Sequence, residues 1–203
     1  MVAAGTGTRF GGAKQFADLG GRRVADWAIE AAAACSDGVV VVVPPGSVPE
    51  PGTVPGGATR TESVRCGLAA VPADAEVIVV HDAARPFAGA ELFTAVVAAV
   101  RSGADGAVPA VPVADTVKQV DDAGMVVATP PRASLVAVQT PQAFRAASLR
   151  RAHDAGGEGT DDAALVEAAG GRVVTVPGDT ANRKLTVPDD LEWARQRVVG
   201  ERR

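Results

Sequence analysis

The segment Ala3-Ala4-Gly5-Thr6-Gly7-Thr8-Arg9-Phe10-Gly11-Gly12-Ala13-Lys14-Gln15 is the part of this chain richest in chemistry. Glycines at 5, 7, 11 and 12 let backbone N–H groups come close to an anion, as in phosphate-cradling nests. It is not a Walker A loop, because no GKS or GKT follows, and as a dinucleotide fingerprint its spacing is off by one. The glycines alone fit an ordinary turn. With Arg9 and Lys14 on the same loop, the segment reads as a seat for a nucleoside triphosphate.

Two further clusters have residue types that can meet anions or sugars. Gly56-Gly57-Ala58-Thr59-Arg60-Thr61-Glu62-Ser63 opens a helix, where glycines, hydroxyls and an Arg suit an anion or a base edge, or simply a cap by Thr59 or Thr61. His81-Asp82-Ala83-Ala84-Arg85 follows an apolar run directly. In an open α/β sheet that is the ligand edge, so Asp82 can reach a ribose hydroxyl or a metal-bound phosphate, and Arg85 a second anion. His81 reads as a structural residue bonding its own loop. Only three of the 20 basic residues are lysines, Lys14, Lys118 and Lys184, and each falls beside a segment chosen on other grounds.

The composition removes other chemistries. Two histidines exclude multi-histidine metal centres and leave little room for a Ser-His-Asp triad; no GxSxG elbow occurs. Cys35 and Cys66 are isolated, which argues against structural zinc and a disulfide framework. A net charge of −4 argues against nucleic acid as a partner. No apolar run approaches the ~20 residues of a membrane helix, and no signal peptide is visible, so a cytoplasmic protein without a membrane partner is expected.

These residues need a frame to hold them. Strands are predicted over residues 39–43, 76–80, 106–110 and 172–176. Helices are expected between them: Val24, Trp27, Ala28 and Ala31 share a face, 91–100 is helix-like, and 161–169 follows Thr160 as N-cap. The alternation predicts a Rossmann-like, mostly parallel sheet with helices on both faces. A last helix starts near Pro188, with Leu191, Ala194 and Val198 on one side. Residues 112–120 and 125–129 around Asp121-Asp122-Ala123-Gly124 read as an inserted hairpin. The whole chain, 1–203, is expected to be one domain, with 111–141 as a projecting β-arm used in dimerisation. Only Met1-Val2 precede the first loop, against a usual strand of ~5–6 residues, so a start further upstream is expected.

With these segments in view, the chain resembles the 2-C-methyl-D-erythritol 4-phosphate cytidylyltransferases of non-mevalonate isoprenoid biosynthesis, whose fold is of the nucleotidyltransferase type. The likeness runs from Val2 to Ala194 through AAGTGTRFGGAKQF, GGATRTESVRCGL, VIVVHDAARPF, VPVADTVK, VQTPQAF, TDDAALVE and NRKLTVPDDL, in the family's order. It implies that Ala3, Ala4, Gly5 and Gly7 hold cytosine and phosphates, with Gly57, Ala58 and Ser63 lining the base and ribose pocket and Asp82 and Ala83 at the ribose and reacting phosphates. Arg9 and Lys14 match transition-state stabilisers, and Arg85, Thr116, Arg132, Thr140 and Lys184 the acceptor site, Thr116 and Arg132 reaching in from a partner subunit.

The implied reaction joins CTP, carrying Mg2+, to methylerythritol phosphate, with catalysis resting on Arg9, Lys14, Arg132 and Lys184. The metal's ligands stay open. The sister activity on ribitol 5-phosphate and a non-catalytic nucleotide-binding module are the alternatives. Against the family pattern, the loop from Arg9 to Lys14 is short and lacks a proline before Lys14, and Arg183 stands where a small apolar residue is common.

Overall fold

The computed structural model describes residues 1–5, 7, 10–48 and 50–201. In chain order, a 3-10 turn over Lys14–Phe16 leads to the small ladder of β1 (Asp18–Leu19) and β2 (Arg22–Arg23), then α1 (Val24–Ala33) and β3 (Val41–Val43). There follow β4 (Thr53–Pro55), α2 (Arg60–Ala70), β5 (Val77–Val80), α3 (Ala90–Arg101) and β6 (Gly106–Pro112). The arm carries β7 (Gln119–Val120) and β8 (Val126–Ala128), and β9 (Val136–Val138) returns from it. The chain ends with β10 (Gln142–Arg145), α4 (Ala146–Asp154), α5 (Asp162–Ala168), β11 (Val173–Pro177) and α6 (Pro188–Glu201).

The main sheet runs β11-β6-β10-β5, with β9 on the far part of β6. β3 and β4 pair parallel, and Val2 joins the two groups through parallel bridges to Val42 and Asp82. β11 is parallel to β6, while β10 is antiparallel to both of its neighbours. β5, β6 and β11 thus run one way, as does the β3–β4 pair that Val2 joins to them, while β10 is reversed between β5 and β6 and β9 is reversed on the far part of β6. That reversal was not legible beforehand. The arm leaves the carboxyl end of β6 and returns to that same end, so β9 and then β10 run back along β6.

Side-chain alternation splits the core in two. Ile78, Val80, Val108 and Phe144 point to α2, α4 and α5, where they meet Val64, Leu68, Leu149 and Val166. Ala107 and Ala143 point the other way, against Val96 and Val100 of α3, with Val77 and Val79 beside them. Gly106 makes room for this packing, since a Cβ there would stand 2.7 Å from Phe144 Cδ1. Leu191, Ala194 and Val198 of α6 close on Leu19, Val24 and Leu185, the face expected for the last helix.

Several expectations need correction. The N-cap of α5 is Asp161, not Thr160: its carboxylate accepts the Ala164 N–H at 2.9 Å, a stronger acceptor than a hydroxyl could be. The hairpin strands are shorter than expected, because β6 itself extends to Pro112 and β7 begins only at Gln119. Asp121 and Gly124 do form the turn between them, with Asp121 Oδ1 accepting the Ala123 and Met125 N–H groups. β9, β10 and α4 were not foreseen.

Met1-Val2 make only a short rung. Val2 N–H donates to His81 O and the Met1 ammonium to Val40 O, and burial pushes that amine down to about 6. Below this rung, β3 and β5 stand apart around a cavity of about 730 Å³, lined by Val42, Val64, Leu68, Val77 and Phe93 and by the polar Asp37, Asp74 and Arg101.

Candidate active site

β5 delivers His81, Asp82 and Ala83 to the carboxyl edge of the sheet. His81 Nε2 stands 3.2 Å from Arg85 O, and Nδ1 2.9 Å from Thr140 Oγ1. One assignment satisfies every bond: Nε2–H donates to the carbonyl, Nδ1 accepts from the Thr140 hydroxyl, and that same oxygen accepts the Asp82 N–H at 3.0 Å. Burial lowers the His81 pKa to about 4, so the ring is neutral at pH 7. His81 is a strut for the loop.

Asp82 is the charged centre of the edge. Its Oδ2 lies 2.6 Å from Lys184 Nζ, and its Oδ1 3.7 Å from an Arg60 nitrogen. Burial pushes this carboxyl up, but Lys184 and then Arg60 outweigh it and hold it at about 2. Arg60 also lies 2.8 Å from Asp162, which is wholly buried and 2.9 Å from His153 Nε2.

The loop bearing Lys184 is clamped from beneath. Asn182 is wholly buried, and its Nδ2 donates to Thr140 O at 2.9 Å and to Gln139 Oε1 at 3.3 Å. Gln139 in turn bonds the Asp179 backbone twice. Arg85 donates to Asn182 O at 2.7 Å, leaving its buried Nε with no hydrogen-bond partner among the described residues. Thus Arg85 and Thr140, expected to contact an acceptor, also carry the loop.

The glycine loop meets α2 on the neighbouring side. Gln15 Nε2 donates to Ala3 O at 2.7 Å and to Gly5 O at 2.9 Å, pinning the loop's base. Gly7 has φ +66°, and a Cβ there would fall 1.8 Å from Gly12 O, so only glycine fits. Gly56 lies against Ala4 and Ser63, since its hypothetical Cβ would be 2.7 Å from each. Ser63 Oγ accepts the Gly57 N–H at 3.2 Å, and Thr59 with Glu62 forms the capping box of α2. Arg9 lies outside the described residues. Lys14 opens the 3-10 turn, and its charge acts on Asp190. Burial raises the Asp190 carboxyl, but the Val187 and Thr186 N–H groups, then Arg183 and Lys14, hold it below the usual range.

Thr116 and Arg132 are not brought to this edge by their own chain. Both are exposed on the arm, where Arg132 donates to Ala114 O at 2.6 Å. Around them the arm exposes Val120, Met125, Val126, Val127, Val136 and Val138.

The family model for 2-C-methyl-D-erythritol 4-phosphate cytidylyltransferase matches residues 1–199. The chain belongs to this family. It is 47% identical to the 2-C-methyl-D-erythritol 4-phosphate cytidylyltransferase of Rhodococcus opacus, over 98% of this chain and 93% of that one. A bifunctional IspD/IspF enzyme of Nitratidesulfovibrio vulgaris is 43% identical over 94% of the chain, which spans only 55% of that longer protein. The crystal structure of the cytidylyltransferase from Thermus thermophilus superposes with a TM-score of 0.83 at 36% identity, covering 98% of this chain and 97% of that one.

Sequence reasoning left Gln15, Gln139 and Asn182 without roles, and gave Arg60 only a generic one at a helix start. No local signal marks them. Gln15 acts back across its own loop, while Gln139, Asn182 and Arg60 act on residues far away along the chain.

Proposed function

We propose that the chain transfers CMP from CTP to 2-C-methyl-D-erythritol 4-phosphate, releasing pyrophosphate. The observation that carries the reading is the Asp82–Lys184 pair set at the sheet's carboxyl edge, beside a glycine loop that only glycine can form at position 7. A phosphate oxygen of the acceptor attacks the α-phosphorus of CTP, a P–O bond forms, and the bond to the β-phosphate breaks. No side-chain nucleophile takes part. Catalysis is positioning and preorganised positive charge.

In this reading Ala3, Ala4, Gly5, Gly7, Gly57, Ala58 and Ser63 seat the nucleotide, and Arg9 and Lys14 stabilise the charge that grows on the phosphates. Lys184 leaves Asp82 to meet the acceptor phosphate, a short move for a half-exposed side chain whose pairing partner sits at the ribose position. Arg85, with its open Nε, and Thr140 border the acceptor.

Among the described residues no three His, Cys, Asp or Glu side chains form a metal cluster. A single carboxylate fits Mg2+ carried by phosphates, since that ion keeps most of its waters. Asp82 would hold it with the triphosphate, where it neutralises phosphate charge.

A second copy of the chain completes the site. The apolar arm surface supports self-association, and Thr116 and Arg132 gain a function only if a partner's edge receives them. Pyrophosphate release, measured with each of the four nucleotides against methylerythritol phosphate and ribitol 5-phosphate, tests the reading. CTP with methylerythritol phosphate should be the fastest pair; CTP binding without release would overturn it.

A further inference from the structure

Asp162 has no part in the transfer reaction itself, yet it is among the most completely buried side chains of the molecule. Its neighbours form one line across four elements. His153 of α4 lies 2.9 Å from Asp162 Oδ1, Arg60 of α2 lies 2.8 Å from Asp162 Oδ2, and Arg60 reaches Asp82 at 3.7 Å. Asp82 then meets Lys184.

Burying a carboxylate and a guanidinium together is a poor route to stability, because desolvation offsets most of their attraction. An apolar pair would serve the core as well. The position of Asp162 is nevertheless tightly specified. Asp161, next to it, accepts from Gln142 Nε2 at 2.9 Å while it caps α5. Gln142 in turn sits opposite Val80 in the β10–β5 ladder, two residues before Asp82. The sheet register thus holds Asp162 at a set distance from Asp82.

Arg60 spans that distance. It is the first residue of α2, and only 26% of its side chain is exposed. Its guanidinium turns inward to two carboxylates on two other elements. Lys184 takes one oxygen of Asp82, and Arg60 stands by the other. If Lys184 departs to the acceptor phosphate, Arg60 is the paired side chain that stays beside the Asp82 carboxylate to orient it.

We infer that Arg60 and Asp162 are positioning residues of the nucleotide site: Asp162 anchors Arg60, and Arg60 holds the Asp82 carboxylate through the Lys184 exchange. The inference rests on the cytidylyl-transfer reading and adds two residues to it. Neither touches the reacting atoms. A positioning error on the order of an ångström costs roughly 10- to 100-fold in rate.

The test compares Arg60→Gln, Arg60→Lys, Asp162→Asn and the double variant Arg60→Gln/Asp162→Asn with the unaltered chain. Pyrophosphate release gives kcat and KM, calorimetry gives CTP affinity without turnover, and circular dichroism with Tm reports folding. Expected are kcat losses of roughly 10- to 100-fold in Arg60→Gln and Asp162→Asn with KM for CTP changed far less. The double variant should lose no more than Arg60→Gln alone, because Asp162 acts through Arg60. Arg60→Lys should recover most of the rate.

A merely structural role would lower Tm and leave kcat per folded molecule intact. That outcome in Arg60→Gln, or losses that multiply in the double variant, would overturn the inference. If Asp162→Asn does not fold, Arg60→Gln and Arg60→Lys decide alone, since Arg60 lies nearer the surface. An unaltered chain without turnover overturns the cytidylyl-transfer reading and this inference together. Normal turnover in folded Arg60→Gln overturns only the inference.

Discussion

Lys184 Nζ stands 2.6 Å from Asp82 Oδ2, although 102 residues separate them in the chain. The two neutralise each other here, and in the proposed transfer each is released to a separate task when substrates arrive. Removing Lys184 should therefore affect chemistry more than nucleotide binding. Lys184→Ala is expected to lower kcat by ~10²–10³, the usual cost of one preorganised donor. Lys14→Ala and Arg9→Ala should behave alike. Steady-state kinetics beside CTP titration calorimetry checks this; a raised KM for CTP at near-normal kcat would assign these residues to binding alone.

His81 makes stability depend on pH. Its folded pKa, about 4, is below the ordinary value of 6.5, so the unfolded chain binds more protons in that window. The stabilisation is complete above pH 6.5 and is lost as pH falls through 4. Asp82, held at about 2 against 3.8, adds a loss of the same sign below pH 3.8. Urea unfolding from about pH 7 to about pH 4 should show falling stability, and His81→Gln should flatten that slope. An unchanged slope in the variant would show that His81 is not the titrating strut.

The arm predicts complementation between variants. Homodimers of Lys14→Ala and of Arg132→Ala should each be nearly inactive. If Arg132 serves the partner's site, a mixed dimer holds one doubly defective site and one intact site. Equal mixing makes about half the dimers mixed, so roughly a quarter of all sites should recover. Co-refolding followed by assay measures this. No recovery, with subunit exchange verified by a tagged copy, would place Arg132 in its own subunit's site.

The cavity between β3 and β5 predicts an engineered gain. Its strand walls are Val42 of β3 and Val77 and Val79 of β5, with Val64 and Leu68 of α2 and Phe93 and Val97 of α3 beside them. A short Val/Ile extension ahead of Met1 should add ladder bonds and fill the space, raising Tm by several degrees. A Gly/Ser extension of equal length should not. Equal Tm values for the two by differential scanning calorimetry would refute the strand geometry.

The sequence by itself determined much of the local structure, the tight glycine loop included. The valine-rich runs at 39–43 and 76–80 mark the strands β3 and β5, and the spacing of Val24 and Ala28 or of Leu191 and Ala194 marks helices with one apolar side. Glycine at 7 and the Thr59–Glu62 box are local geometry, readable within a few residues. Tertiary structure alone decided the rest. The reversed direction of β10 follows from how the chain returns from the arm, and that register carries Asp161 and Asp162 to Asp82. Arg60, Asn182 and Gln139 gain their roles from partners about 40 to 100 residues away. No periodicity encodes such contacts, because they arise only when separate elements, each legible alone, are packed against one sheet.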